Sequence, residues 1–385
     1  MPWRESTRVD ERTRFVEAYL SGHFQMAELC RAAGISRPTG YLWLDRYRRF
    51  GEAGLADRSR RPWRSPQRTP AAVLERVVAL RRQHPTWGPR KLRAYAQRHW
   101  PEQSWPSRSC IALILRNAGL AKRPRRRLIL DSPGQPARTP AAPNALWTMD
   151  FMGEFRMGNT QYCYPFTLGD LASRYALDWT AMPRICGAAV EARTDRAFAE
   201  YGLPEAIHSD GGAPFASVGL GRLSRLSLKW LKLGIRLERN RPGCPQDNAS
   251  HERLHRTLRA EAARPPEHHL LAQQRRFDRL RDEYNHERPH ESLGDRPPAE
   301  FYRPSPRPVP ARLPTPAYPG HFEVRRISRM GELRFKGDRT FFGIAFAREY
   351  IGLEEVEDGL WSVYFFDQML ARFDEHLRRL IEVPV

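Results

Sequence analysis

The amino-acid sequence predicts a multidomain protein: an all-α helix-turn-helix N-terminal region, a central α/β core and a small C-terminal β-barrel. Three observations lead there. Before residue 120, apolar residues recur at helical spacing in several segments. Between residues 146 and 302, strand-like runs rich in aromatic and β-branched residues alternate with helical ones. Beyond residue 320, short apolar runs are punctuated by turn residues such as Gly331, Gly337, Gly352 and Gly359. A chain of 385 residues has material for two to four domains.

Charge sharpens the division. The net charge is +20; residues 1–146 hold 29 Lys plus Arg against 11 Asp plus Glu, and the remainder holds 35 against 33. An excess confined to the front of the chain points to a polyanionic partner bound there. Only five of the 64 basic residues are Lys, and arginine suits bidentate phosphate and guanine contacts. The five cysteines are scattered and form no C-x-x-C pair, which speaks against a disulfide framework and a Cys-based zinc site. No apolar run approaches a membrane span and the start does not read as a signal peptide. The expectation is a cytoplasmic protein with no membrane partner.

In the first region, Phe15, Val16, Tyr19 and Leu20 mark one helix, and Met26, Leu29, Cys30 and Ala33 a second. Gly34 permits a turn, Ser36 can cap, and Arg37 to Phe50 form a third helix with Tyr41, Leu42, Leu44 and Tyr47 expected inward. In a helix-turn-helix the third helix lies in the major groove, which makes Arg37, Thr39, Arg46 and Arg48 groove-facing candidates. A Gly-, Arg- and Pro-rich stretch follows with Arg58, Arg60 and Arg61, of the kind that narrow minor grooves attract. A second three-helix unit ends in the basic run Lys122-Arg123-Pro124-Arg125-Arg126-Arg127, read as phosphate contacts. The expected boundaries are 1–56, linker 57–69, 70–130, linker 131–145, core 146–302, Pro-rich linker 303–319 and β domain 320–385.

The core carries the chemistry. Strands are expected at 147–153, 160–168 and 174–181, then a helix near 185–201, a strand ending at Asp210, a helix near 222–233, a strand near 235–239, and helices around Glu252 and over 270–286. Asp150 and Asp210 fall at strand ends, and Gly211-Gly212 lets the backbone turn away. Glu252 falls in the first turns of a helix capped by Asp247 or Asn248. Three carboxylates so placed match the needs of two-metal phosphoryl transfer.

Trp147-Thr148-Met149-Asp150-Phe151, His208-Ser209-Asp210-Gly211-Gly212 and Pro245-Gln246-Asp247-Asn248-Ala249-Ser250-His251-Glu252-Arg253 resemble the three signature blocks of the retroviral-integrase-like DDE transposases of bacterial insertion sequences. Tyr284-Asn285-His286-Glu287-Arg288-Pro289-His290 extends the likeness, which covers residues 10 to 302. The resemblance implies a ribonuclease-H-like core and a triad of Asp150, Asp210 and Glu252. With it come two Mg²⁺ ions replaceable by Mn²⁺, and Arg259 as a DNA contact near the metals. It also implies double-stranded DNA as partner, both terminal inverted repeats and target, bound by a homo-oligomer. Separations of 60 and 42 residues divide the acids, the second lengthened by Gly219 to Leu226.

Two alternatives stay open. A nuclease of the same fold would cut without joining. His251-Glu252-Arg253-Leu254-His255 also satisfies H-E-x-x-H, the zinc-protease helix signature, although no third ligand motif follows and that reading leaves Asp150 and Asp210 idle.

Overall fold

The computed structural model describes residues 6–59, 68–121, 140–217, 219–239, 249–377 and 379–382. The expected DNA contacts Arg60, Arg61, Arg123, Arg125, Arg126 and Arg127, and the expected cap Asp247 or Asn248, lie outside them. The chain divides into two compact units, Met1–Arg68 and Thr69–Val385.

The first unit holds α1 (Arg8–Leu20), α2 (Met26–Ala32) and α3 (Arg37–Phe50). Thr7 and Asp10 form a capping box at α1, and Ser36 caps α3 by accepting from the Thr39 amide. The turn at Gly34 uses a positive φ of 65°. Gly40 is required for another reason: a Cβ there would lie 2.7 Å from the Cys30 sulfur and 2.8 Å from that of Met26. The inward stripe of α3 is Gly40, Trp43, Leu44 and Tyr47, at i, i+3, i+4 and i+7. Tyr41 and Leu42, expected inward, are instead about half exposed, because the close α2–α3 crossing at Gly40 fixes the rotation of α3.

The second unit opens with α4 (Ala71–Gln83), α5 (Pro89–His99) and α6 (Arg108–Asn117), packed around Trp87, Leu92 and Ile111. The core follows with β1 (Trp147–Phe151), β2 (Phe155–Arg156), β3 (Tyr162–Asp170), β4 (Ala176–Met182), α7 (Gly187–Tyr201), β5 (Ala206–Ser209), α8 (Arg225–Lys232), β6 (Arg236–Arg239), α9 (Ala249–Glu261) and α10 (Leu270–His286). Its sheet runs β2-β3-β1-β5-β6, with β4 also on β3. Side chains alternate across a sheet. Trp147, Met149, Phe166 and Leu168 join α7 and α8 in one apolar layer. Met152, Cys163, Ala176 and Trp179 join α9 and α10 in the other. Buried Asn285 of α10 grips the edge of β4 by donating to the Ala176 carbonyl and accepting from its amide.

The helical α4–α6 layer meets the core through polar contacts. Arg90 pairs with Asp295 and Glu291, His84 with Glu283 at 2.9 Å, Arg98 with Glu300 and Thr86 with Glu261.

The C-terminal segment is made of β7 (Glu323–Arg326), β8 (Glu332–Phe335), β9 (Asp338–Phe341), β10 (Tyr350–Glu357), β11 (Leu360–Phe365), β12 (Gln368–Asp374) and β13 (Arg379–Glu382). The expected barrel is not closed. The pairing order is β13-β12-β11-β10-β7, with β8–β9 as a separate hairpin, and no pair among the described residues joins the two edges. A small sheet rolls up to bury its apolar face; here Leu333, Phe335, Phe342 and Phe346 of the same segment cover that face together with residues of the core. Leu220, Leu223 and, from α8, Leu228 and Leu231 sit in one cluster with Ile351, Leu353, Val363 and Phe365. Arg307 pins the preceding Pro-rich stretch by donating to the carbonyls of Pro204, Leu233 and Gly234.

Candidate active site

Strand β1 lies between β3, antiparallel, and β5, parallel. In the parallel register Thr148 faces His208. Asp150 and Asp210 each stand two residues beyond that pair, so they reach the same level of neighbouring chain segments. Alternation puts Asp150 on the Thr148 face, which is the face α9 covers. Both acids are half-buried. Burial raises the Asp210 carboxyl above the ordinary carboxylate range, opposed by the Gly212 amide, which donates to it at 3.4 Å.

Helix α9 is anchored by two histidines. His251 is 2 % exposed. Its Nε2 lies 2.6 Å from the Thr167 hydroxyl and its Nδ1 3.0 Å from the Thr148 hydroxyl. His255 Nε2 lies 2.9 Å from the same Thr167 oxygen. That hydroxyl donates to the Asp150 carbonyl at 3.0 Å, so toward both rings it accepts, and both Nε2 atoms carry the proton. His251 Nδ1 is then left to accept from Thr148. Burial drives His251 well below its ordinary pKa, with His255 and His208 adding to the effect. It lowers His255 to about 4, helped by Arg259. Both rings are held neutral.

Glu252, one residue past the buried His251, is exposed and lines a groove of about 450 Å³ with His255, Arg256, Arg259 and Arg264. Arg259 reaches back toward the end of β1: a methyl on Gly153 would sit 3.5 Å from its guanidinium. Among the described residues no three His, Cys, Asp or Glu side chains converge closely enough to hold a metal ion. Asp150 and Asp210 thus share a level and α9 docks beside them, while Glu252 faces the basic groove.

The remaining candidates divide. Asp170, a further acid of the core at the end of β3, is buried and accepts from the Asn144 amide, the Ser173 amide and the Ser173 hydroxyl, which makes it a hairpin brace. In the N-terminal unit Arg37, Arg48 and Arg58 are exposed, and Thr39 hydrogen-bonds the capping Ser36. Arg46 turns inward instead, donating to the Ala56 carbonyl at 2.6 Å and lying over the Trp43 ring. Thr148 and Thr167 were not singled out in the sequence. The available signal was a pair of hydroxyls on otherwise apolar strands, matched by histidines at i, i+4 on one helix.

Family models match along the chain: a helix-turn-helix domain over residues 11–62 and a homeodomain-like domain over 39–115. Integrase core domains match over 140–245 and 233–298, and the C-terminal domain of IS481 family transposases over 322–379. A 31.7 kDa protein of insertion element IS407 from Burkholderia multivorans is 28% identical over 240 residues, 61% of this chain and 82% of the relative. A 39.2 kDa protein of insertion element IS476 from Xanthomonas euvesicatoria is 28% identical over 313 residues, 77% of this chain and 79% of the relative. Among solved structures, a chain of the simian T-cell lymphotropic virus intasome aligns over 76% of this chain and 97% of its own length. Its TM-score of 0.38 and 16% identity are too slight to argue from. The two integrase core matches together span Asp150, Asp210 and Glu252, with helix-turn-helix matches before them and a transposase domain after them. The chain is thus built like an insertion-element transposase with an integrase core, and it is similar to the proteins of insertion elements IS407 and IS476.

Proposed function

We propose that this protein is a DDE-type transposase that binds the ends of its insertion sequence and catalyses Mg²⁺-dependent strand cleavage and strand transfer at Asp150, Asp210 and Glu252. The observation that carries the reading is the level shared by Asp150 and Asp210 on the face where α9 is anchored. An all-oxygen donor set suits Mg²⁺, with Mn²⁺ as substitute. Two such ions, when bound, supply an activated nucleophile and stabilise the leaving oxygen of an in-line displacement. The chain's own part is placement. Asp150 and Asp210 would ligate from the strand ends and Glu252 from α9, with the His251–Thr167–His255 contacts holding helix and strand in register. Burial disfavours the charged form of Asp210, and a bound cation would offset that by favouring the carboxylate. Arg256, Arg259 and Arg264 in the groove beside Glu252 would hold the anionic DNA backbone.

The division of labour follows charge. Residues 1–56 and 70–130, with linkers at 57–69 and 131–145, would bind the terminal inverted repeats. The core 146–302 would act on cleaved and target DNA within a homo-oligomer, and 303–319 with 320–385 would support it. A nuclease that cuts without joining would use the same residues. The zinc-protease reading loses ground because both histidine Nε2 atoms face the Thr167 hydroxyl. The experiment is cleavage and joining of a labelled element end with Mg²⁺, Mn²⁺ or Zn²⁺ after chelation. Products of both steps with Mg²⁺ support the reading; cleavage alone favours the nuclease; activity with Zn²⁺ only would remove it.

A further inference from the structure

The stretch Gly219–Leu226, extra sequence between the second and third acids, joins two places in the fold. Leu220 and Leu223 are buried in the apolar cluster of the C-terminal sheet, and the Leu220 amide donates to the Phe342 carbonyl at 3.1 Å. Between them Arg222 points the other way. Its guanidinium donates to the Gly211 carbonyl at 3.0 Å, immediately after Asp210, and the side chain is exposed. Its backbone has φ of 53°, a left-handed conformation that non-glycine residues adopt rarely and that needs support from its surroundings. Arg239 provides the support. From the last position of β6 it donates to the carbonyls of Gly221 at 3.1 Å and Arg222 at 3.0 Å.

This arrangement brings two guanidinium groups together. Arg239 is lowered below its ordinary pKa, first by burial and then by Arg222. Among the described residues no salt bridge neutralises either one. A guanidinium has five N–H donors in a planar fork, and the Gly211 carbonyl takes one from Arg222. An exposed, braced cation beside the loop that carries Asp210 suits a phosphate oxygen.

We propose that Arg222 is a contact for the phosphodiester backbone of the DNA strand presented to Asp210, held in place by the C-terminal sheet through Leu220 and Leu223. The proposal rests on the active-site reading above. Its ligand class is a polynucleotide phosphate, and it assigns the insertion a role that the three acids do not need.

The test separates charge from hydrogen bonding. In the full-length Asp210→Asn protein, binding of a labelled duplex containing the element end and its flank is measured across a salt series. Each lost phosphate contact reduces the slope of log affinity against log salt by about 0.9. Arg222→Gln retains an amide donor for Gly211 without the charge, and Arg222→Lys retains the charge. The slope should become shallower by about 0.9 in the Gln variant and stay at the parental value in the Lys variant. A parental slope in Arg222→Gln, or a reduced slope in Arg222→Lys, overturns the proposal. Cleavage by Asp210→Asn itself is scored separately. Cleavage by that protein would refute the active-site reading, while the slopes still report on Arg222.

Discussion

His251 and Thr167 meet ring nitrogen to hydroxyl at 2.6 Å, inside the interface between the helix of Glu252 and the strand next to that of Asp150. Since the same hydroxyl donates to the Asp150 carbonyl, one oxygen joins a helix to two strands. The placement of Glu252 relative to Asp150 depends on that joint.

Helix geometry alone, which rotates His251 about 100° from Glu252, predicts that its loss is nearly silent; its buried contacts predict a cost. His251→Ala removes the ring from a site that is 2 % exposed and takes one contact from each of Thr148 and Thr167, the latter keeping His255 and the Asp150 carbonyl. Stability should fall by about 1–3 kcal/mol, read from the urea midpoint, and cleavage should fall with it. An unchanged midpoint would show that the contact carries nothing.

Replacing the acids should act differently. Asp150→Asn, Asp210→Asn and Glu252→Gln should each abolish Mg²⁺-dependent cleavage and leave end binding within a few fold. Each removes a proposed ligand, while affinity comes mainly from the basic front of the chain. A variant that cleaves at the full rate takes its residue out of the site.

Two exposed-looking arginines of α3 should part company. Arg48 is exposed, so Arg48→Ala should weaken DNA binding and reduce the salt slope by about 0.9. Arg46 is bound to the Ala56 carbonyl and stacked on Trp43. Arg46→Ala should therefore lower the melting temperature of the unit and act on binding only through folding. A reduced slope with an unchanged melting temperature would place Arg46 in the groove after all.

Acid should destabilise the DNA-free protein through its buried histidines. Burial lowers His290 to about 3, with Lys91 and Arg288 adding to it, and His255 to about 4. In the unfolded chain both titrate near about 6.5. Between these values the unfolded state binds more protons, so stability is fully present above pH about 6.5 and declines as pH falls toward the folded values. The slope should approach at most about 1.4 kcal/mol per pH unit for each histidine. His290→Phe keeps a ring against Tyr284 and should flatten part of that slope. An equal slope in the variant would exclude His290 as a source.

Removal of residues 320–385 should expose Leu220, Leu223, Leu228 and Leu231, which the C-terminal sheet buries. The truncated protein should bind a hydrophobic dye and aggregate. A soluble, monodisperse product with native-like melting would show that the core closes without the sheet.

The order of core elements was readable from the sequence because it depends on local rules. Runs rich in aromatic and β-branched residues mark β3 and β4, a strand ending before Gly211-Gly212 marks Asp210, and the helical stripe of Phe277, Leu280 and Tyr284 marks α10. Helix rotation and the cover of a sheet face are long-range matters. Nothing local distinguishes Leu42 from Leu44, but the close contact at Gly40 turns one out and the other in. His251 reads as a polar surface residue until two strand hydroxyls are found beneath it. The C-terminal strands read as a barrel because a small sheet must bury one face. Only the tertiary structure supplied Leu220, Leu223 and α8 as part of the cover, beside Phe335, Phe342 and Phe346 of the segment itself, and the sheet stays open.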